Sequence, residues 1–559
     1  MLEARSGYDA PMISALVLAV AAGAAAPQEP VPSPRPPHSS ARLVLRGGTV
    51  WTGAAPWPDG ADLRCSHELI EPPSARRADH SVVELPEGAF VMPGLQDAHG
   101  HLLGLGSALV EVNLVGTASF AEVVAKARAA AEKLPAGAWV VGRGWDQNDW
   151  SDKRMPDHRS LSEAVPDHPV WLTRVDGHAG LANDRALSAA GITRDSVAPS
   201  GGEILFGADG EPTGVLVDAA MAAVPEPALD VAEIRRRLLF AQRECLRHGL
   251  TGVHDMGVSA RVLDQLVQLH REKKWFLRTY VMLTPSERAL IARGPWQTRD
   301  GVITVCGVKA YADGALGSRG AALLEPYTDR PNTRGLVSLP KGAVLALAQF
   351  CADHDMQLVT HAIGDKANRT VLDAYEAVRV DGGLAARRFR IEHAQIIAAD
   401  DFVRFHELGV LPSMQPTHLT SDMPWAPDRL GPERTLRAYA WRTFHELGVV
   451  VPFGSDFPVE SVDPRKGLYA AVTTRGAGSE FPLRPDQQLS RERALRGFTY
   501  DAAYGVHSEH RLGTIEHRKY ADLTVFDRDL RSCAEDQLLA AKVLLTVVGG
   551  RIVYDGRAR

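Results

Sequence analysis

The sequence predicts a closed parallel (β/α)8 barrel of the TIM type, with a large insert after its first strand and a β-sandwich built from both chain termini. Three observations point there. Eight short apolar runs, each ending in polar residues, alternate with helical patterns through the middle of the chain. Residues 115–220 lie between the first run and the second, too many for a structureless loop. Both ends of the chain carry short β-branched runs that are too small to form a core alone.

A chain of 559 residues suits more than one core. Its 62 basic and 68 acidic residues are well mixed, with a net charge of −6, which argues against a nucleic-acid or anionic-membrane surface. The five cysteines are scattered without a CxxC pair, so no disulfide framework is expected. Oligomeric state is not legible.

Taken in order, residues 1–27 read as a signal peptide. An apolar run after Met12 ends in small residues, with an Ala-x-Ala-like cleavage site near residues 24–26. Export to the periplasm or cell exterior is therefore expected, with the cytoplasm as the alternative. The run is short for a membrane span, and no cysteine follows it to take a lipid anchor. Residues 28–40 form a Pro/Ser-rich linker. Residues 41–52 (ARLVLRGGTVWT) read as a hairpin turning at Gly47-Gly48, and residues 81–89 as a further strand. Residues 513–526 and 543–554 repeat the pattern, so residues 41–92 and 511–559 are expected to pair into the sandwich, leaving 93–510 for the barrel.

The barrel strands are expected at residues 91–101, 252–255, 278–282, 307–313, 357–361, 390–393, 410–415 and 450–456. Apolar residues at i, i+3 and i+4 predict helices over 231–248, 341–354 and 366–380. Within the insert, residues 119–134 read as helix, 139–141 and 170–174 as strand, with glycine turns at 201–202 and 210–214.

In VMPGLQDAHGH (residues 91–101), His99 and His101 stand two apart, so an extended segment points both imidazoles to one side. Other strand ends offer Lys309, His361, His393 and Asp456. Singly, each has an ordinary reading: a hydrogen-bonded core histidine, a helix cap, a paired lysine. In a parallel barrel, however, all of them converge on the C-terminal mouth, where catalytic groups gather. Imidazole and carboxylate together suit a divalent metal, zinc best.

These motifs resemble the amidohydrolase superfamily, and within it the YtcJ-like, family 3 group. The matching pieces are PGLQDAHGH (93–101), VKAYADGALGSRGAAL (308–323), THAIGD (360–365), IEHAQ (391–395) and GSDFPVE (454–460). GWDQNDW (144–150), DGHAGLANDRAL (176–187) and GEPTGVL (210–216) in the insert also match, as does the closing GTIEHRKYADLTVFD, with Arg518 where glycine is commoner.

The resemblance implies, residue by residue, a metal site of one or two ions. His99, His101 and Asp456 would bind the more buried ion, and His361 and His393 the more exposed one. Lys309, carboxylated on its amine, would bridge them; unmodified, it would be a charged hydrogen-bond donor beside a single ion. The implied activity is hydrolysis of a non-peptide C–N bond in a small amide, such as an N-substituted formamide or N-acyl amine. A metal-activated hydroxide would attack, with Asp456 as general base and then acid. The alternatives are a cyclic amidine deaminase and a non-catalytic exported metal-binding protein. Substrate contacts are expected from Trp145, Asp146 and His178 in the insert and from Arg319.

Overall fold

The computed structural model describes residues 42–75, 81–380, 382–476, 479 and 481–557. The signal peptide and linker expected over residues 1–40 lie outside the described residues. Among those described, no helix is long and apolar enough to cross a membrane.

The central sheet is parallel and runs in chain order through Leu95–Gly100, Leu250–Val258, Arg278–Leu283, Ile303–Tyr311, Gln357–Ala362, Arg390–His393 and Leu411–Ser413. Every residue of the first and fifth of these strands is buried, as expected where helices cover the outside of a barrel and side chains fill its inside.

The eighth position is not a regular strand. Pro452 has no N–H, and Asp456 takes a φ of +63°, so a continuous ladder cannot form there. The segment nevertheless closes the barrel. Met414 N donates to Pro452 O (3.0 Å) and Ala98 N to Phe453 O (3.0 Å), while Asp456 N donates to His99 O (2.7 Å). Isolated parallel bridges join Met414 to Phe453 and Gly100 to Phe457.

The predicted helices form at Val231–Arg247, Lys341–Asp353 and Asp365–Glu376. In the first, Asp230 caps the N-terminus by accepting from Glu233 N, and Ile234, Leu238, Ala241 and Cys245 face the core.

The insert folds around a six-stranded sheet running from Val112–Asn113 at one edge to Gly202–Phe206 at the other. Helices Phe120–Ala131, Arg159–Ala164 and Asp184–Ala190 belong to it, and the sheet buries separate apolar clusters, one containing Trp145 and Leu172, the other Trp171 and Leu216.

Both chain ends build the sandwich. Phe90–Pro93 pairs antiparallel with Leu523–Phe526, and Leu43, Leu45, Val91, Leu523, Val525 and Leu545 share one core. The expected hairpin at Gly47-Gly48 does not form. Arg42–Arg46 pairs with Leu63–Ser66 and Ser81–Glu84 in one sheet, while Thr49–Val50 pairs with Phe90–Pro93 in the other. Both glycines have φ near +80°, a conformation that carries the chain between sheets instead of doubling it back. The corresponding Gly549-Gly550 turn does make a hairpin, between Val543–Val548 and Arg551–Asp555.

A buried ion pair fastens the sandwich to the barrel: Arg278 of the third barrel strand meets Asp522 through Nε–Oδ2 (2.6 Å) and Nη2–Oδ1 (2.9 Å). Thr524 adds to this by donating to Gly249 O (2.7 Å) and accepting from Leu95 N (3.2 Å). The sandwich thus grips the start of the strand that ends in His99.

Candidate metal centre

The strand ends open into a cavity of about 1080 Å³, roofed by the insert. Six of the sequence-predicted groups line it: His99, His101, Lys309, His361, His393 and Asp456. His101 Nε2 lies 3.1 Å and His99 Nε2 3.4 Å from Asp456 Oδ1. The ligating atoms of all three fall within 4.8 Å of one another.

Each imidazole is held from behind. His99 Nδ1–H donates to Glu392 Oε2 (2.5 Å), His101 Nδ1–H to Met256 O (3.1 Å) and His393 Nδ1–H to Gln415 Oε1 (2.7 Å). Donation from Nδ1 makes Nε2 the acceptor, which is the tautomer a metal requires; in His99 that nitrogen faces Lys309 Nζ at 3.3 Å. Burial pushes the His99 pKa down to about 3, the Lys309 charge acting the same way, and burial holds His393 well below the usual value. Both rings are therefore neutral at pH 7, as ligands must be. Asp456 Oδ1 is buried without a hydrogen-bond donor, facing Nε2 of His99 and of His101. An acceptor surrounded by acceptors is unfavourable unless a cation joins them, so these residues fit a divalent ion.

The backbone shapes this cluster. Asp97, on the same strand as His99, accepts from Ser455 N (3.0 Å) and Ser455 Oγ (2.6 Å), which fixes the residue next to Asp456. Gly454 is needed there, because a Cβ would stand 2.4 Å from His99 N.

His361 is oriented differently. Its Nε2 faces Asp313 Oδ1 (3.3 Å) and Gly314 O (3.4 Å), with its ring centroid 4.6 Å from that of His393. Nδ1 is then the nitrogen available as a ligand. Lys309 Nζ sits 3.3 Å from His99 Nε2 and 4.8 Å from the Tyr311 ring centroid, and burial lowers its pKa to about 8.

Two participants escaped sequence reasoning. Glu392 was legible only as part of IEH; a charge inside an apolar strand was the available signal. Burial opposes its ionisation, but Arg390 (Nε–Oε1, 2.8 Å) and His99 outweigh it and keep Glu392 anionic. His418, just beyond the seventh strand, places Nε2 3.4 Å from Asp456 Oδ2 and Nδ1 3.6 Å from Glu460 Oε1. Burial would lower its pKa, yet these two carboxylates raise it to about 10. His418 falls geometrically into a metal-ligand group with His393 and Asp456. In its protonated form it donates to Asp456 and helps hold that carboxylate ionised.

The expected substrate contacts divide. Asp146 and His178 line the cavity. Asp146 is ion-paired to Arg174, and His178 Nδ1 bonds Asp218 Oδ1 at 2.6 Å. Trp145 does not reach the cavity. Gly144 (φ +110°) is an extra residue in the pairing with Val170–Arg174, and it turns the Trp145 ring into the insert's core, where Nε1 donates to Leu172 O (2.7 Å). Arg319 is spent on Asp329 (2.7 Å) and lies away from the cavity lining.

Comparisons with known proteins agree with this geometry. The family model described as "Amidohydrolase family" matches residues 86–554. Protein LONG AFTER FAR-RED 3 of Arabidopsis thaliana is 32% identical over 541 residues, covering 92% of each chain. The N-substituted formamide deformylase of Arthrobacter pascens is 28% identical over 508 residues, covering 86% of this chain and 91% of its own. The crystal structure of an uncharacterized metal-dependent hydrolase from Pyrococcus furiosus superposes with a TM-score of 0.68 at 28% identity, covering 88% of this chain and 100% of that one. With a family match spanning the barrel, the insert and the C-terminal part of the sandwich, the chain belongs to the amidohydrolase family.

Proposed function

We propose that the protein is a metal-dependent hydrolase of a non-peptide C–N bond in a small amide, an N-substituted formamide or N-acyl amine. The observation that carries this reading is the cluster of His99, His101 and Asp456, in which a buried carboxylate oxygen without a donor meets two imidazoles anchored through Nδ1. The similarity to the Arthrobacter deformylase supports the choice of amide.

In this reading His99, His101 and Asp456 hold a zinc ion, and His393, His361 and Lys309 stand ready for a second. A bound divalent cation supplies Lewis acidity, lowering the pKa of water towards about 7 and polarising the scissile carbonyl. Asp456 takes the proton from the attacking water and returns it to the leaving nitrogen. That carboxylate is buried, and a protonated His418 steadies its charge. A lysine whose pKa is near 8 keeps a fraction of neutral amine at pH 7, the form that adds carbon dioxide to become a carbamate. Carboxylated Lys309 would then offer oxygens between the two positions.

The test is metal content per chain, measured together with hydrolysis of a panel of formamides, N-acyl amines and cyclic amidines. Release of formate or an acyl acid, dependent on metal, is the expected result. Release of ammonia from an amidine would make the protein a deaminase. Stoichiometric metal with no turnover of any member would make it a binding protein.

A further inference from the structure

The insert's wall of the cavity carries a cation that makes no ion pair among the described residues. Arg143, in the strand Val140–Trp145, lines the cavity and is only partly exposed. Its Nη2 donates to Val175 O (2.8 Å), and its Nε is buried without a partner. Among the described residues, no carboxylate forms an ion pair with it.

Several of the cavity's carboxylates are already engaged. Arg174 holds Asp146 and Asp176, and Asp255 accepts from Leu102 N (2.8 Å). Asp422 takes the Tyr439 hydroxyl (2.7 Å), and Glu460 takes the Ser421 hydroxyl (2.6 Å). Of the other cavity cations without an ion pair among the described residues, Lys309 lies against His99 Nε2 at the metal centre, and Lys466 is exposed and hydrated and so needs no counter-ion. Arg143 lacks that compensation. Burial lowers its pKa, with the charges of Asp456, Asp176 and Glu111 acting in the other direction. The chain also leaves room for it: a Cβ on Gly177 would stand 3.3 Å from Arg143 Nη2, at a residue whose φ is +75°.

A desolvated guanidinium with free N–H groups, facing a ligand cavity, is built for a planar anion, because its fork matches a carboxylate. We propose that Arg143 binds a carboxylate of the substrate, so that the preferred substrates are N-formyl or N-acyl compounds bearing an acid group. This rests on the amide-hydrolase reading above and narrows its substrate class. The role that Arg319 lost to Asp329 falls to a residue of the insert.

The experiment compares two substrates that differ only in the acid, N-formylphenylalanine and N-formylphenethylamine, on the metal-loaded full-length enzyme and its R143M and R143K variants. The aryl group suits a wall that includes Leu103, Leu316 and Trp425. The wild type should favour the acid at least tenfold in kcat/KM. In R143M that ratio should fall at least tenfold, mainly through KM for the acid, with metal content unchanged, and R143K should restore part of it. A ratio that R143M leaves unaltered overturns the proposal. Should the wild type hydrolyse neither compound, the amide reading fails, and calorimetry with 3-phenylpropanoate and 3-phenylpropanamide then decides the role of Arg143. Tighter binding of the acid that is lost in R143M supports an anion subsite, and equal binding in both proteins overturns it.

Discussion

His99 Nδ1 lies 2.5 Å from Glu392 Oε2, with both side chains buried inside the barrel. Arg390 reaches the same carboxylate and also donates to Ala98 O (2.7 Å), so the first and sixth strands are tied together directly behind the metal centre. The charge on Glu392 orients an imidazole that would otherwise be free to rotate.

Glu392→Gln should therefore weaken metal binding about 10- to 100-fold, the usual effect of removing the group behind a ligating histidine. Competition with a chelating dye measures it. Unchanged affinity would show that His99 does not depend on this partner.

Asp456→Asn keeps the side chain's shape and one oxygen but cannot take a proton. Hydrolysis should fall by about 10²–10⁴-fold, the span typical of a general base, while the histidines retain metal. Steady-state rates paired with metal analysis check this, and retained turnover would remove Asp456 from proton transfer.

Burial raises the Asp422 pKa to about 7, against the opposing influences of the His418 charge and the Tyr439 hydroxyl. The folded protein thus holds this proton more tightly than the unfolded chain, whose Asp titrates near about 3.9. The stabilisation is complete below the unfolded pKa and is lost as pH rises through about 7. Thermal unfolding of wild type and Asp422→Asn between these limits should show the wild type losing ground to the variant as pH increases, with no further change above. Parallel curves would contradict it.

Asp522→Ala strips the counter-ion from Arg278, whose side chain is 2% exposed. Leaving a buried charge alone costs about 3–5 kcal/mol, so the urea midpoint should drop sharply. The Tyr520 ring, 4.1 Å from the guanidinium, cannot replace the carboxylate. A midpoint within error of wild type would mean that water reaches Arg278.

The sequence by itself determined the barrel, the insert, the sandwich and the convergence of His99, His101, Lys309, His361, His393 and Asp456. It could do so because strand alternation and the position of a polar residue at a strand's end are local properties, and a closed parallel barrel brings all such ends to one mouth. Tertiary structure alone decided what each side chain meets there. Glu392 and His418 matter through residues far away in the chain. Trp145 fills a core because one extra residue at Gly144 reverses its direction. Gly47-Gly48 crosses between sheets while Gly549-Gly550 folds back, although the dipeptides are identical. Arg319 found a carboxylate and Arg143 did not. Pairing of buried charge depends on distances across elements, and no local pattern in the chain encodes them.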